Sequence, residues 1–280
     1  MSTYINTLFF GEEYKSNSCP IKFTCLNNKV YYVKIAPSET NFDDLIYEAL
    51  AIHLAALFEI PTPEYDIINV VPDSYNIDDI QTNYNKKFIT KNNVAFGSLN
   101  IPNHDILGPA NSTIRNKHTY NKFVNPIDFL KIGLFDFHIS NTDRSESNYN
   151  ILFDLNSVQG KMKFIAIDHV AIFGGNLFKN TFVPRCDDNL VCNILNTTYG
   201  KKIISYLKMD FGDEILSRTI ESYFSKIDNI PTIINSFFAT IPQEWRYNDE
   251  LPERIINYLI NADRIVHLRS ELYSLLKISK

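Results

Sequence analysis

Residues 135–154 read "FDFHISNTDRSESNYNILFD", and their reading decides the fold. An apolar run stops at Ile139, a polar and charged stretch follows from Ser140 to Ser147, and a strand-like run begins after Asn148. Such a stretch between two apolar elements is either an ordinary loop or the place where chemistry is done.

The next apolar run, "MKFIAIDHVAIF" at 162–173, gives the stretch a geometry. If "YNILF" and "MKFIAI" pair as an antiparallel hairpin about a turn near Val158, residue 149 faces 167 and residue 148 faces 168; the intervening "NSVQG" suits a turn. Directly opposed residues have Cβ atoms roughly 4.5–5.5 Å apart, so Asn148 and Asp168 are expected side by side. Asp143 lies five residues earlier on the loop that feeds the same end. Adjacent carboxylates repel, and one would take up a proton unless a cation intervened. Mg²⁺ fits, because it binds through one or two protein oxygens and completes its shell with water and phosphates. In phosphoryl transfer of the protein-kinase type, an Asp accepts the proton of the attacking hydroxyl, an Asn five residues later holds metal, and an Asp after the next hairpin holds metal as well. Asp143, Asn148 and Asp168 stand in that order. The plainer alternative makes Asp143 and Arg144 an exposed ion pair and Asp168 a strand-end turn.

The amino-terminal part supplies the other half of that scheme. "PIKFTCL" and "KVYYVKIA", separated by "NNK", read as a hairpin. "SETNFDDLIYEALAIHLAALFEIPTP" carries apolar residues at 46, 50, 54, 57 and 58, acids near its start and a proline stop, which predicts a helix. "YDIINVV" and "KKFITK" read as two further strands. Lys34 interrupts an apolar strand, where an unpaired charge is costly to bury, and Glu48 on the following helix is a suitable partner. That ion pair would position the α and β phosphates of ATP.

Three regions follow from this order: 1–93, a nucleotide-binding sheet with one helix; 94–125, an irregular polar connector and hinge; and 126–280, a helical lobe containing the catalytic loop and the metal-binding hairpin. The expected class is α+β, a bilobal protein-kinase-like fold with a small β-rich N-lobe and a larger, mainly helical C-lobe.

Composition bounds the alternatives. A chain of 280 residues with 45% hydrophobic residues can bury a sizeable core. Its net charge of −5 lacks the basic excess that phosphate-backbone binding requires, so no direct nucleic-acid partner is expected. No run of about 18 apolar residues and no signal peptide is read, which leaves no membrane partner and a cytoplasmic location as the expectation. Cys19, Cys25, Cys186 and Cys192 stand in two pairs with five intervening residues each, a poor zinc spacing, and read as reduced structural thiols.

"ISNTDRSESNYNIL" followed by "FIAIDHVAIF" resembles the HipA-like kinases, whose signature has N-x-D-R, an Asn five residues after the Asp, and I-D-H. "NSCPIKF", "YYVKIAP" and "YEALAIHLAALFEIPTP" are similar to the amino-terminal lobe of the family's short, single-domain forms, and "IPQEWR" with "YL" and a later Arg to their carboxy-terminal end. The resemblance implies an ATP- and Mg²⁺-dependent serine/threonine protein kinase acting on a protein substrate, often the toxin of a toxin–antitoxin pair with an antitoxin or regulatory protein as partner. It makes Asp143 the base, Asn148 and Asp168 the metal ligands, Lys34 the phosphate contact and Glu48 its partner. "GEEYKSNSCP" would cover the phosphates, with Ser16 and Ser18 as candidate autophosphorylation sites. Two departures stand out. Ser145 occupies the position two after the base where many members have His, and the phosphate loop offers only Gly11 before Pro20. A small-molecule or lipid-head-group kinase of related fold, and a catalytically inactive nucleotide-binding module, are the alternative readings.

Overall fold

The computed structural model describes residues 4–14, 18–108, 116–156, 160–174 and 193–278. In chain order its elements are β1 (Ile5–Glu13), β2 (Ile21–Cys25), β3 (Val30–Lys34), α1 (Asp43–Leu57), β4 (Tyr65–Asn69), α2 (Asn83–Phe88), β5 (Val94–Leu99), β6 (His104–Ile106), α3 (Lys117–Tyr120), α4 (Ile127–His138), β7 (Ile151–Asp154), β8 (Lys163–Ala166), α5 (Thr198–Phe224), α6 (Ile230–Phe238), α7 (Leu251–Leu259) and α8 (Ala262–Leu276). The class is α+β. Two compact units divide the chain: Met1–Ile52, Pro63–Ile101 and Ser236–Leu251 form the first, and His53–Thr62, Pro102–Asn235 and Pro252–Lys280 the second.

The first unit is built on a closed five-stranded barrel in the order β1-β2-β3-β5-β4. Alternation builds it: Ile21, Phe23 and Cys25 on β2 and Tyr31 and Val33 on β3 point inward and are fully buried, and the hairpin pairs Ile21 with Val33 and Phe23 with Tyr31. Each such apolar side chain contributes roughly 1.5–3 kcal/mol by leaving water. The expected hairpin, helix and β4 all form where the pattern places them.

"KKFITK" is not a strand. Residues Asn83–Phe88 form α2, because Thr82 caps the helix by accepting from the Asn85 backbone N–H and because the Asn85 side chain is buried. The strand beside β4 is instead β5, inside the segment read as irregular, and β6 and α3 lie in that segment too. Gly97 permits the β4–β5 contact, since a Cβ there would come within 2.3 Å of Ile68 Cγ1. Residues from the far end of the chain complete the unit: Trp245 is buried and its Nε1–H donates to the Val94 carbonyl at 3.0 Å.

The second unit packs helices around a three-stranded sheet, β6-β7-β8. Its central helix is α4, whose Phe129, Leu130, Ile132, Leu134, Phe135 and Phe137 are all buried, the signature of a helix covered on every side. Gly133 allows Leu195 to pack directly against the α4 backbone, where a Cβ would stand 2.3 Å from Leu195 Cγ. Among the described residues no helix is long and apolar enough to cross a membrane. Cys19 and Cys25 carry free thiols, and Cys186 and Cys192 lie outside the described residues.

Candidate active site

In the first unit the structure joins the predicted pair. Lys34 ends β3 with its side chain 12% exposed, and its Nζ contacts Glu48 Oε1 on α1, itself 3% exposed. Glu48 is therefore no solvated helix-face acid. On either side of residues 15–17, the described residues Glu13, Tyr14, Cys19 and Pro20 are held by hydrogen bonds. The Asn85 side-chain amide donates to Glu13 Oε1 at 2.6 Å and to the Cys19 carbonyl at 2.7 Å, and Tyr14 N–H donates to Pro20 O at 3.0 Å. Ser18 is half-buried at a turn, and Ser16 lies outside the described residues.

In the second unit the polar stretch forms a folded loop with its own buried support. Helix α4 ends at His138, and Ser140 turns the chain with φ 51°. Asn141 N–H and Asn141 Nδ2 both return to Asp136, at its backbone carbonyl (2.8 Å) and at Oδ1 (3.1 Å), and Asn141 Oδ1 accepts from the Asp143 N–H at 3.2 Å. Arg144 is not an exposed partner of Asp143. It is fully buried, 3.2 Å from Asp136 Oδ2 through Nε, and its Nη2 donates to the Ile167 carbonyl at 2.9 Å. Burial pushes the Asp136 carboxyl up to about 6, while the Arg144 guanidinium and the Asn141 amide pull it back down.

The hairpin forms, with a register one residue away from the expected one. β7 and β8 pair Ile151 with Ala166, and the Ile167 N–H donates to the Asn150 carbonyl at 3.0 Å. Residue 149 is thus level with 168, and Asn148 falls level with His169 rather than Asp168. Period-two alternation tells which face a side chain takes, but one residue in the turn shifts every partner. Asn150 and Asp168 leave the ladder with φ of 47° and 57°, in the left-handed region.

Asp143 and Asp168 still belong to one bonded neighbourhood. Asn150 Nδ2 donates to Asp143 Oδ2 at 3.0 Å while its carbonyl holds Ile167, and Arg144 grips the same Ile167 from its other side. Beyond Asp168 the chain doubles back along the loop: Phe173 N–H donates to Ile139 O, Gly174 N–H to Ser140 O and Thr142 N–H to Ala171 O. The Asn148 backbone exchanges hydrogen bonds with Ser145 at 2.8 and 3.2 Å, which keeps Ser145 turned to that local loop. The side chains of Asp143, Asp168 and Asn148 carry carboxylate and amide oxygens, hard donors of the kind Mg²⁺ takes; among the described residues no group of three or more His, Cys, Asp or Glu could hold a metal ion.

A family model for HipA-like kinases matches residues 15–185, more than half of the chain, a span that includes Lys34, Glu48, Asp143, Asn148 and Asp168. The chain belongs to the HipA-like kinases. Its fold is kinase-like: the crystal structure of the Helicobacter pylori proinflammatory kinase CtkA is 13% identical over 98% of this chain and 99% of that one, with a TM-score of 0.56. The HipA chain in a HipA–HipB–operator DNA complex of the Shewanella oneidensis MR-1 toxin–antitoxin system is 13% identical, over 96% of this chain and 64% of that one, with a TM-score of 0.41. The Golgi casein kinase is 12% identical over 97% and 73%, also at 0.41, and scores at that level carry no weight for the fold. No curated protein matches the sequence.

Sequence reasoning missed four supporting residues of this HipA-like kinase: Asn85 in the first unit, and Asp136, Asn150 and Arg264 in the second. The first three look like ordinary polar residues of an Asn-rich chain. Arg264, on α8, is fully buried and reaches His138 and Ser140, at the start of the polar loop, from more than a hundred residues away. No local pattern announces such a contact.

Proposed function

We propose that the chain is an ATP- and Mg²⁺-dependent serine/threonine protein kinase, with the strand-rich unit serving as nucleotide lobe and the helical unit as catalytic lobe. The observation that carries this reading is the ion pair between the largely buried Lys34 and the buried Glu48. Taking two charges out of water costs several kcal/mol per ion, and a barrel needing only stability would do as well with apolar side chains there. A lysine held by a carboxylate at the end of β3 is suited to gripping the α and β phosphates of ATP. Glu48 fixes the direction of the ammonium group, and Lys34 supplies the charge.

Asp143 is the base. Its carboxylate takes the proton of the acceptor hydroxyl as that oxygen attacks the γ-phosphorus, and the bond to the β-phosphate oxygen breaks. Asn148 and Asp168 would hold Mg²⁺, which when bound neutralises phosphate charge and orients the γ-phosphoryl group. Asn141, Asp136 and Arg144 keep the loop in one shape, so that little ordering is left for the moment of reaction. The family likeness makes a protein hydroxyl the expected acceptor and an antitoxin or other regulatory protein the expected partner.

The test is incubation with γ-labelled ATP and Mg²⁺, alone and with casein as a generic acceptor, followed by mass spectrometry of the modified residue. Phosphoserine or phosphothreonine that disappears with EDTA supports the reading. Label transferred only to small molecules points to a small-molecule kinase, and ATP binding without transfer points to an inactive module.

A further inference from the structure

We infer that Asn150 is a positioning residue for the base, holding the Asp143 carboxylate in the orientation in which it can take a proton; the inference rests on the assignment of Asp143 just made. Ser145 stands where many relatives carry a histidine, two residues after the base, and among the described residues it turns to the Asn148 and Ser147 side of the loop through backbone bonds and an Oγ···Oγ contact of 3.2 Å. The contact to the Asp143 carboxylate comes instead from seven residues downstream, where Asn150 Nδ2 donates to Oδ2 at 3.0 Å.

Three features fit Asn150 to that task. First, its backbone is anchored: its carbonyl takes the last rung of the β7–β8 ladder from Ile167 N–H, so the amide is carried on a rigid strand end rather than on the loop it steadies. Second, φ at Asn150 is 47°, a conformation that asparagine tolerates better than most residues and that turns its side chain out of strand alternation. Third, a side-chain amide donates a hydrogen bond without being able to give up its proton, so it fixes one carboxylate oxygen and leaves Oδ1 to act. With Asn141 Oδ1 on the Asp143 N–H at 3.2 Å, the base is held at both its backbone and its head.

The rung with Ile167 has a further consequence. Asp168 is the next residue, so one side chain and one carbonyl of Asn150 set the spacing between the base and the neighbouring metal-ligand candidate. A residue with a purely structural task would need the backbone bond and the left-handed conformation, and its amide would be dispensable.

Asn150→Gly separates the two, because glycine keeps the left-handed backbone and the rung while removing the amide. In the full chain with Mg²⁺, ATP and casein, the variant is expected to lose roughly 10- to 100-fold in kcat, the scale of a misplaced reacting group. Its Kd for ATP, measured by titration, and its melting temperature are expected to stay at the parent values. A kcat at the parent level alongside an inactive Asp143→Ala overturns the positioning role and leaves the base intact. Activity retained in Asp143→Ala overturns the base assignment itself. Crystal structures of the parent and of Asn150→Gly give the same test without turnover: one Asp143 carboxylate orientation in the parent and several in the variant support the role, and an unchanged single orientation overturns it.

Discussion

The Arg264 guanidinium donates through Nη2 to the His138 carbonyl at 2.7 Å, and to Ser140 Oγ at 2.9 Å, with its Cζ 4.2 Å from the Tyr258 ring centroid. A buried cation on α8 thus satisfies the carbonyl end of α4 at the point where the polar loop from Ser140 begins. Helix C-termini leave carbonyls without intrahelical donors, and a positive charge there also meets the negative end of the helix dipole.

Removing that cap leaves buried acceptors unsatisfied, so Arg264→Ala is expected to destabilise the protein by about 2–5 kcal/mol. Arg264→Lys keeps the charge and loses the planar fork, and should recover only part of this. Thermal unfolding of the three proteins checks it. Melting temperatures within a degree or so of the parent for both variants would contradict the capping role.

The Lys34–Glu48 pair separates stability from function. Lys34→Met alone strands a buried carboxylate and should cost about 3–5 kcal/mol. Lys34→Met combined with Glu48→Leu removes both charges and should regain most of that stability while ATP binding stays lost. Urea unfolding and ATP titration on the single and double variants measure the two effects. Recovery of ATP binding in the double variant would show that the pair has no part in holding phosphate.

His138 gives a pH dependence with a defined sign. Its Nε2–H donates to the Leu259 carbonyl at 2.8 Å, so Nδ1 accepts from the Tyr223 hydroxyl at 3.0 Å and the ring is neutral. Burial first, and the nearby Arg264 charge second, push its pKa down from 6.5 to about 3. A base whose folded pKa is depressed contributes its stability above the unfolded pKa and loses it as pH falls from about 6.5 toward 3. Between pH 7 and pH 4.5 this amounts to roughly 2–3 kcal/mol. The parent should therefore lose that much more stability than His138→Gln over the same interval. Equal losses in urea unfolding at the two pH values would rule the histidine out as the source.

What the sequence made legible is what local pattern encodes. Alternation at 21–25 and 30–34 and helical spacing at 46–58 are short-range, and the corresponding elements form. "KKFITK" misleads because β-branched and aromatic content hides a helix set by the Thr82 cap and by the tertiary bonds of Asn85. The β7–β8 register depends on a turn that alternation cannot count, which places Asn148 level with His169, while Asn150 is the residue bonded to Asp143. Trp245 on Val94 and Arg264 on His138 join positions more than a hundred residues apart, and only the folded chain records them.

The most direct measurement is transfer of labelled γ-phosphate by Asp143→Ala beside the parent, at saturating Mg²⁺ and ATP. With Asp143 as base, the variant should lose about 10²- to 10⁴-fold in rate while its Kd for ATP stays at the parent value. A variant that transfers phosphate at the parent rate would contradict the assignment, and the loop "ISNTDRSESNYNIL" would then need another explanation for the buried charges that hold it.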